Sequence, residues 1–236
     1  MVIGAGARRM FVKICGITSE EDALLAIALG ADALGFVFAP GSPRMVTSED
    51  AEDIVKRLPH DEVLTFGVFR DERPERVTDI VNRVGLKGAQ LHGREPAAEV
   101  AYVRERVQLV IQGYAAGDPA LETAAESPAD IVLVDSPDPG SGRVFDWVQV
   151  EGALDGVRLL LAGGLTPENV ADAIGRVRPW GVDVSTGVET APGSGRKDPR
   201  RLRRFIEAAR LADKGVAEEK WAANPGRPYD WQAEGA

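Results

Sequence analysis

The sequence predicts a (β/α)8 barrel, and three observations predict it. Eight short apolar, β-branched runs recur along the 236 residues. Most are continuously apolar rather than alternating, as strands covered on both faces are. Amphipathic helical stretches sit between them, and eight βα units fit this length. A doubly wound parallel sheet is the alternative, because local patterns do not reveal closure.

The strand-like runs are MFVKI (10–14), ADALGFVF (31–38), EVLTFGVF (62–69), LKGAQL (86–91), VQLVIQ (107–112), DIVLVD (130–135), VRLLLA (157–162) and WGVDVS (180–185). Thr18 followed by Glu21 reads as a capping box. The helix behind it sets Ala23, Leu24 and Ile27 on one face and stops at Gly30. Thr166-Pro167-Glu168 reads as an N-cap, a proline at the first helical position and an acid favoured by the helix dipole. Leu202, Phe205, Ile206 and Ala209 keep an i, i+3, i+4, i+7 spacing. Weaker helical patterns surround Tyr102 and Leu121. The predicted organisation is a lead over 1–9, one barrel domain over 10–213 and a tail over 214–236. The tail differs in composition, and it either docks through Trp221 and Trp231 or is disordered.

Composition excludes several function classes. The net charge is −9, so the phosphate backbone of a nucleic acid would repel the chain. The apolar fraction of 44% is too high for a disordered chain. No apolar run approaches the roughly 20 residues of a membrane span. Cys15 is the one cysteine, which rules out an intrachain disulfide and a Cys-rich zinc site. His60 and His92 are the two histidines, too few for a multi-His metal site. The first ten residues carry no apolar stretch of signal-peptide length, and a cytoplasmic globular protein is expected. Gly4-Ala5-Gly6 is no dinucleotide fingerprint, because a strand follows it and Arg9 fills the last glycine position.

Candidate chemistry gathers at the C-terminal ends of the strands, where barrels of this class place their sites. Cys15 ends the first strand. It is either a small buried hydrophobe or a thiol tuned as base or nucleophile. Asp135 ends the sixth strand, and either caps the next loop or faces Cys15 across the mouth as its acid/base partner. Gly163 and Gly164 follow strand seven, and Ser185, Thr186 and Gly187 follow strand eight. Glycines let backbone N–H groups approach a phosphate and hydroxyls add donors, in the two loops that usually bind it. Arg44 sits in a loop stiffened by Pro40 and Pro43, suited to bidentate carboxylate recognition or simply solvated. His92 ends strand four and donates either to substrate or to its own backbone, while His60 reads as a surface residue. Gly140-Ser141-Gly142 is a plain connector or a loop that folds over substrate.

These residues stand within longer motifs: VKICGIT (12–18), GADALGFVF (30–38), SPR (42–44), QLHG (90–93), IVLVD (131–135), GSGRVFDW (140–147), LAGGLTPENV (161–170), GVDVSTGVE (181–189) and Gly195-Arg196-Lys197-Asp198. In content and order they closely resemble phosphoribosylanthranilate isomerase, a TIM barrel of tryptophan biosynthesis. The resemblance implies an Amadori rearrangement of N-(5-phosphoribosyl)anthranilate to 1-(2-carboxyphenylamino)-1-deoxyribulose 5-phosphate, without cofactor or metal. It matches Cys15 to the general base and Asp135 to the general acid. Arg44 matches the residue near the anthranilate carboxylate, and Asp183 and His92 match pocket residues. Gly163, Gly164, Ser185, Thr186 and Gly187 match the phosphate cradle. The implied partner is a small phosphosugar bearing an anthranilate group, with no nucleic acid or membrane, and the chain is a monomer or homodimer. The family commonly has Ser-Ser-Gly where Ser185-Thr186-Gly187 stands, and the 191–195 loop is slightly long. Two alternatives remain: a related phosphosugar isomerase of histidine biosynthesis, which uses aspartate where Cys15 stands, and a barrel that binds phosphorylated ligands without turnover.

Overall fold

The computed structural model describes residues 9–137 and 156–222, with 215–222 as backbone only. The eight strands are β1 (Phe11–Cys15), β2 (Ala33–Val37), β3 (Leu64–Phe69), β4 (Gly88–Leu91), β5 (Leu109–Ala115), β6 (Ile131–Asp135), β7 (Leu159–Leu161) and β8 (Gly181–Val184). Each pairs in parallel with the next, and β8 returns to β1, so the sheet closes into a barrel in chain order. Closure excludes the doubly wound alternative. The strands are buried almost throughout, which explains their continuous apolar character.

The outer layer holds α1 (Glu20–Ala28), α2 (Ser48–Val55), α3 (Pro74–Val84), α4 (Ala97–Arg104), α5 (Val170–Val177) and α6 (Pro199–Ala222). The pattern around Leu121 forms a 3-10 helix, Pro119–Glu126, rather than an α-helix. α6 buries Leu202, Phe205, Ile206 and Ala209 as its spacing requires. It continues to Ala222, past residue 213, and Asp213 accepts a hydrogen bond from the Met10 N–H at 2.8 Å. Among the described residues no helix is long and apolar enough to cross a membrane.

Two helix starts differ from the sequence reading. Ser19, not Thr18, caps α1, accepting from the Asp22 N–H at 3.2 Å. Thr18 instead donates to the Gly195 carbonyl at 2.9 Å, tying this loop to the one after β8. The buried face of α1 carries Asp22, Ala23 and Ala26, while Leu24 is exposed. Small residues allow close approach to the barrel, and that packing overrides the Leu24 pattern. At Thr166-Pro167-Glu168 the chain makes a turn, and α5 begins at Val170. Asn169 holds that turn by accepting from the Thr166 N–H at 2.7 Å and donating to the Gly164 carbonyl at 3.0 Å.

Alternate residues of each strand point into the barrel. Phe11, Ala33, Leu64, Phe66, Ile111, Ile131, Leu133, Leu160 and Ala162 form an apolar plug inside it. A larger core lies between strands and helices. The polar residues begin where the plug ends.

Candidate active site

Pleat parity puts the chemistry inside. On β1, Phe11, Lys13 and Cys15 share the inward face, and Val12 and Ile14 face the helices. Cys15 is buried beside Val37 and Val68. Its register partner on β2 is Gly35. A methyl group at Gly35 would stand 2.9 Å from Cys15 Sγ and 3.1 Å from Lys13 Nζ. Glycine there leaves the space that sulfur and ammonium share.

Lys13 is fully buried, at 0% exposure. Its register partner on β8 is Asp183, and Nζ donates to Asp183 Oδ1 at 2.9 Å. Burial is the largest influence and would lower the lysine, but the Asp183 and Cys15 charges and the hydrogen bond to Asp183 together outweigh it, so Lys13 lies above its ordinary value. Burial pushes the Cys15 thiol up; the Lys13 charge pulls it down, the Asp183 charge pushes it up again and Lys197 pulls down. The net direction is upward.

Lys197 lies just before α6. Its ammonium donates to the carbonyls of Cys15 at 2.7 Å and Ser185 at 3.3 Å, and pairs with Glu189 at 3.5 Å. It straps the ends of β1 and β8 together. Arg44 joins the same cluster. The sequence reading gave this arginine a stiff loop and a carboxylate to grip, and in this structure that carboxylate is Glu189: Nε to Oε1 is 2.6 Å and Nη2 to Oε2 is 3.1 Å. Nη2 also donates to Thr186 Oγ1 at 2.7 Å. Arg44 is therefore buried, not solvated. Burial would raise the Glu189 carboxyl, but the Arg44 hydrogen bond and the Lys197 charge hold it below its ordinary value.

Across the mouth, Asp135 ends β6 and accepts from the Ser136 N–H at 2.7 Å. His92 Nε2 stands 3.4 Å from Asp135 Oδ2. The Gln90 amide nitrogen lies 2.8 Å from His92 Nδ1. Nε2 is the ring nitrogen that faces Asp135. Gly113 makes room for the ring: a methyl there would come within 2.8 Å of Nδ1.

The loops after β7 and β8 complete the site. Gly163 and Gly164 take φ of 86° and 65°, a left-handed pair that suits glycine. Gly187 packs so tightly on the Leu165 carbonyl that a methyl group would sit 1.8 Å from its oxygen. Gly163, Gly164, Ser185, Thr186 and Gly187 line one cavity together with Asp135 and Asp183. The Ser185 hydroxyl, buried there, has no hydrogen-bond partner among the described residues. A buried unpartnered hydroxyl is costly unless a ligand completes it.

The structure thus brings Asp135, Asp183 and the glycine-hydroxyl loops to one cavity, with Cys15 beside Asp183 through Lys13. His92 touches Asp135, and Arg44 reaches the cradle through Thr186. His60 lies in a loop away from them, and the 140–142 loop lies outside the described residues. Sequence reasoning missed Lys13, Lys197, Glu189 and Gln90. The available signal for Lys13 was a lysine inside an otherwise apolar strand, two residues before the cysteine. Among the described residues no three His, Cys, Asp or Glu side chains are grouped to hold a metal ion.

Comparison with known proteins gives this arrangement relatives. A family model described as N-(5'phosphoribosyl)anthranilate (PRA) isomerase matches residues 12–208. The N-(5'-phosphoribosyl)anthranilate isomerase of Desulforudis audaxviator is 49% identical over 208 residues, which cover 85% of this chain and 98% of the relative. The crystal structure of phosphoribosyl anthranilate isomerase from Thermus thermophilus matches with a TM-score of 0.79 at 43% identity, covering 87% of this chain and 100% of its own. A phosphoribosyl anthranilate isomerase solved in complex with reduced 1-(o-carboxyphenylamino)-1-deoxyribulose 5-phosphate matches with a TM-score of 0.74 at 41% identity, covering 85% of this chain and 98% of its own. The family match spans every strand from β1 to β8, and the chain belongs to the N-(5'-phosphoribosyl)anthranilate isomerase family.

Proposed function

We propose that Cys15 and Asp135 are the base and acid of this isomerase. The reaction converts N-(5-phosphoribosyl)anthranilate to 1-(2-carboxyphenylamino)-1-deoxyribulose 5-phosphate in tryptophan biosynthesis. The observation that carries the assignment is the convergence of the Cys15 thiol, the Asp135 carboxylate and a glycine-hydroxyl cradle at one barrel mouth.

Asp135, protonated, gives its proton to the furanose ring oxygen; the ring C–O bond breaks and the aniline nitrogen lone pair forms the Schiff base. Cys15, as thiolate, takes the proton from C2, and the electron pair flows to the nitrogen to give an enolamine. Tautomerisation to the ketone reduces C1 and oxidises C2 within one molecule, so no external oxidant or reductant is needed. His92, its Nε2 turned to Asp135, orients the carboxyl. The substrate phosphate lies on the Gly163, Gly164 and Gly187 amides and the Ser185 and Thr186 hydroxyls. Arg44 serves the anthranilate carboxylate by sharing its fork between that group and Glu189, and Asp183 completes the pocket wall. The partner is the small phosphosugar alone, and a net charge of −9 speaks against nucleic acid. The protein works in the cytoplasm as a monomer or homodimer.

The test follows loss of the anthranilate-type fluorescence of the substrate in wild type, Cys15→Ser and Asp135→Asn. Each substitution is expected to lower turnover by about 10²–10⁴-fold and leave binding largely intact. Near-normal turnover of Cys15→Ser would remove the thiol from the mechanism. Ligand binding without turnover in the wild type would make the barrel a binding protein instead.

A further inference from the structure

The buried cluster beneath the mouth carries more positive than negative charge. Lys13, Lys197 and Arg44 are its cations; Asp183 and Glu189 are the carboxylates they pair with. Burial pulls Lys197 below its ordinary value, whereas Lys13 lies above its own, so Lys13 is the ammonium more firmly held beside Cys15. We infer that Lys13 is the positioning residue that makes Cys15 usable as a base: an ammonium fixed beside the sulfur holds the thiolate, and Asp183 sets how strongly it does so. This rests on the reading of Cys15 as the base.

Geometry singles out Lys13 over its neighbours. Lys13 and Cys15 are two residues apart on one inward face, and both fill the space beside Gly35. The ammonium has three donors. Asp183 takes one, and the ammonium shares the space beside Gly35 with the sulfur. Lys197 is spent differently, on two backbone carbonyls and Glu189. The groups facing Cys15 are therefore Lys13 from β1, Asp183 from β8 and Lys197 from before α6, with apolar Val37 of β2 and Val68 of β3 on the other side. His92 and Asp135 belong to the opposite wall. Asp183 keeps Lys13 charged, so Lys13 is a fixed cation and not itself a base. A base works best when its pKa lies near the working pH. Burial moves the thiol away from that range and the lysine moves it back.

The single cysteine makes the test clean, because iodoacetamide then reports one thiol. The pH dependence of alkylation is measured on folded wild type, Lys13→Met, Asp183→Asn and the double variant, which removes the buried pair together. Lys13→Met is expected to move the midpoint to higher pH and slow alkylation at neutral pH by about tenfold or more, a unit of pKa being tenfold in thiolate. Asp183→Asn is expected to move the midpoint the other way, and the double variant to fall between the singles, above wild type. The limb of kcat/KM that Cys15 governs should follow each shift. A merely structural role would loosen the site in all variants and send every midpoint in one direction. Same-direction shifts, or none, overturn the inference. If Cys15→Ser keeps turnover while the opposed shifts appear, it is the base assignment that fails, not the coupling of Lys13 to the thiol.

Discussion

The two halves of the barrel interior are made by the same strands, yet they are built on different physics. In the lower half Phe11, Leu64, Phe66, Ile111 and Ile131 fill the space, and Trp180 stacks on Phe11 at 4.4 Å. Each such side chain contributes about 1.5–3 kcal/mol through burial alone. One pleat further along, the inward positions hold Lys13 and Asp183, then Cys15 and Ser185, with Gln90, His92 and Asp135 opposite. There a buried polar group is costly unless it is paired, with a partner in the protein or a ligand. Lys13 and Ile111 are both 0% exposed, and what separates these two is that the lysine is held by a charged partner. The lower half is where the fold is held, and the upper half is where stability is exchanged for reactivity.

Substitutions can break that division. The largest effect is expected in the upper half: Cys15→Ser or Asp135→Asn loses about 10²–10⁴-fold in turnover. The same variants should unfold in urea within about 1 kcal/mol of wild type, because neither side chain anchors the plug. Phe66→Ala should do the reverse. It is expected to cost about 3–5 kcal/mol in urea unfolding, with kcat per folded molecule unchanged. If Phe66→Ala abolished kcat in fully folded protein, the two halves would not be separable.

A subtler change probes the rim. Gly187→Ala forces a methyl group against the Leu165 carbonyl, a backbone atom that has no rotamer to escape into. Overpacking of this kind costs about 1–3 kcal/mol. Because Gly187 lines the cavity, steady-state kinetics should show KM rising more than kcat falls. A pH-dependent effect is expected at Glu189, whose carboxyl lies below its ordinary value. Such a group stabilises the fold above the ordinary carboxylate range and loses that contribution as pH falls through its lowered value. Wild-type stability should therefore drop on the acid side, and Glu189→Gln should flatten that limb in pH-dependent unfolding while lowering stability at neutral pH. An unchanged acid limb would show that Arg44 and Lys197 do not depend on the charge of Glu189.

Much of this was legible in the sequence, and the exceptions have physical causes. The eight strands could be read because each is apolar on both faces, a pattern that survives without knowing which face is inside. Cys15 and Asp135 stood out as reactive groups closing such runs, and Gly163-Gly164 as a turn only glycine serves well. The start of α1 was misread by one residue because Thr18 and Ser19 are both good caps, and the choice was made by the Gly195 carbonyl, distant in sequence. Leu24 was placed on the buried face because its spacing fits, but the barrel surface accepts the smaller Ala23 and Ala26 instead. Lys13 was passed over inside MFVKI because nothing local gives a buried lysine a partner.

The sequence by itself determined the strands, the residues at their ends and the family, since these rest on local periodicity and contiguous motifs. Tertiary structure alone decided which of two alternating faces is the interior and what meets there. An open sheet and a closed barrel share the same local pattern. Only closure lays β8 against β1. That pairing brings Asp183 to Lys13 and, beside them, gives Cys15 the charged surroundings that a lone cysteine in a sequence does not reveal.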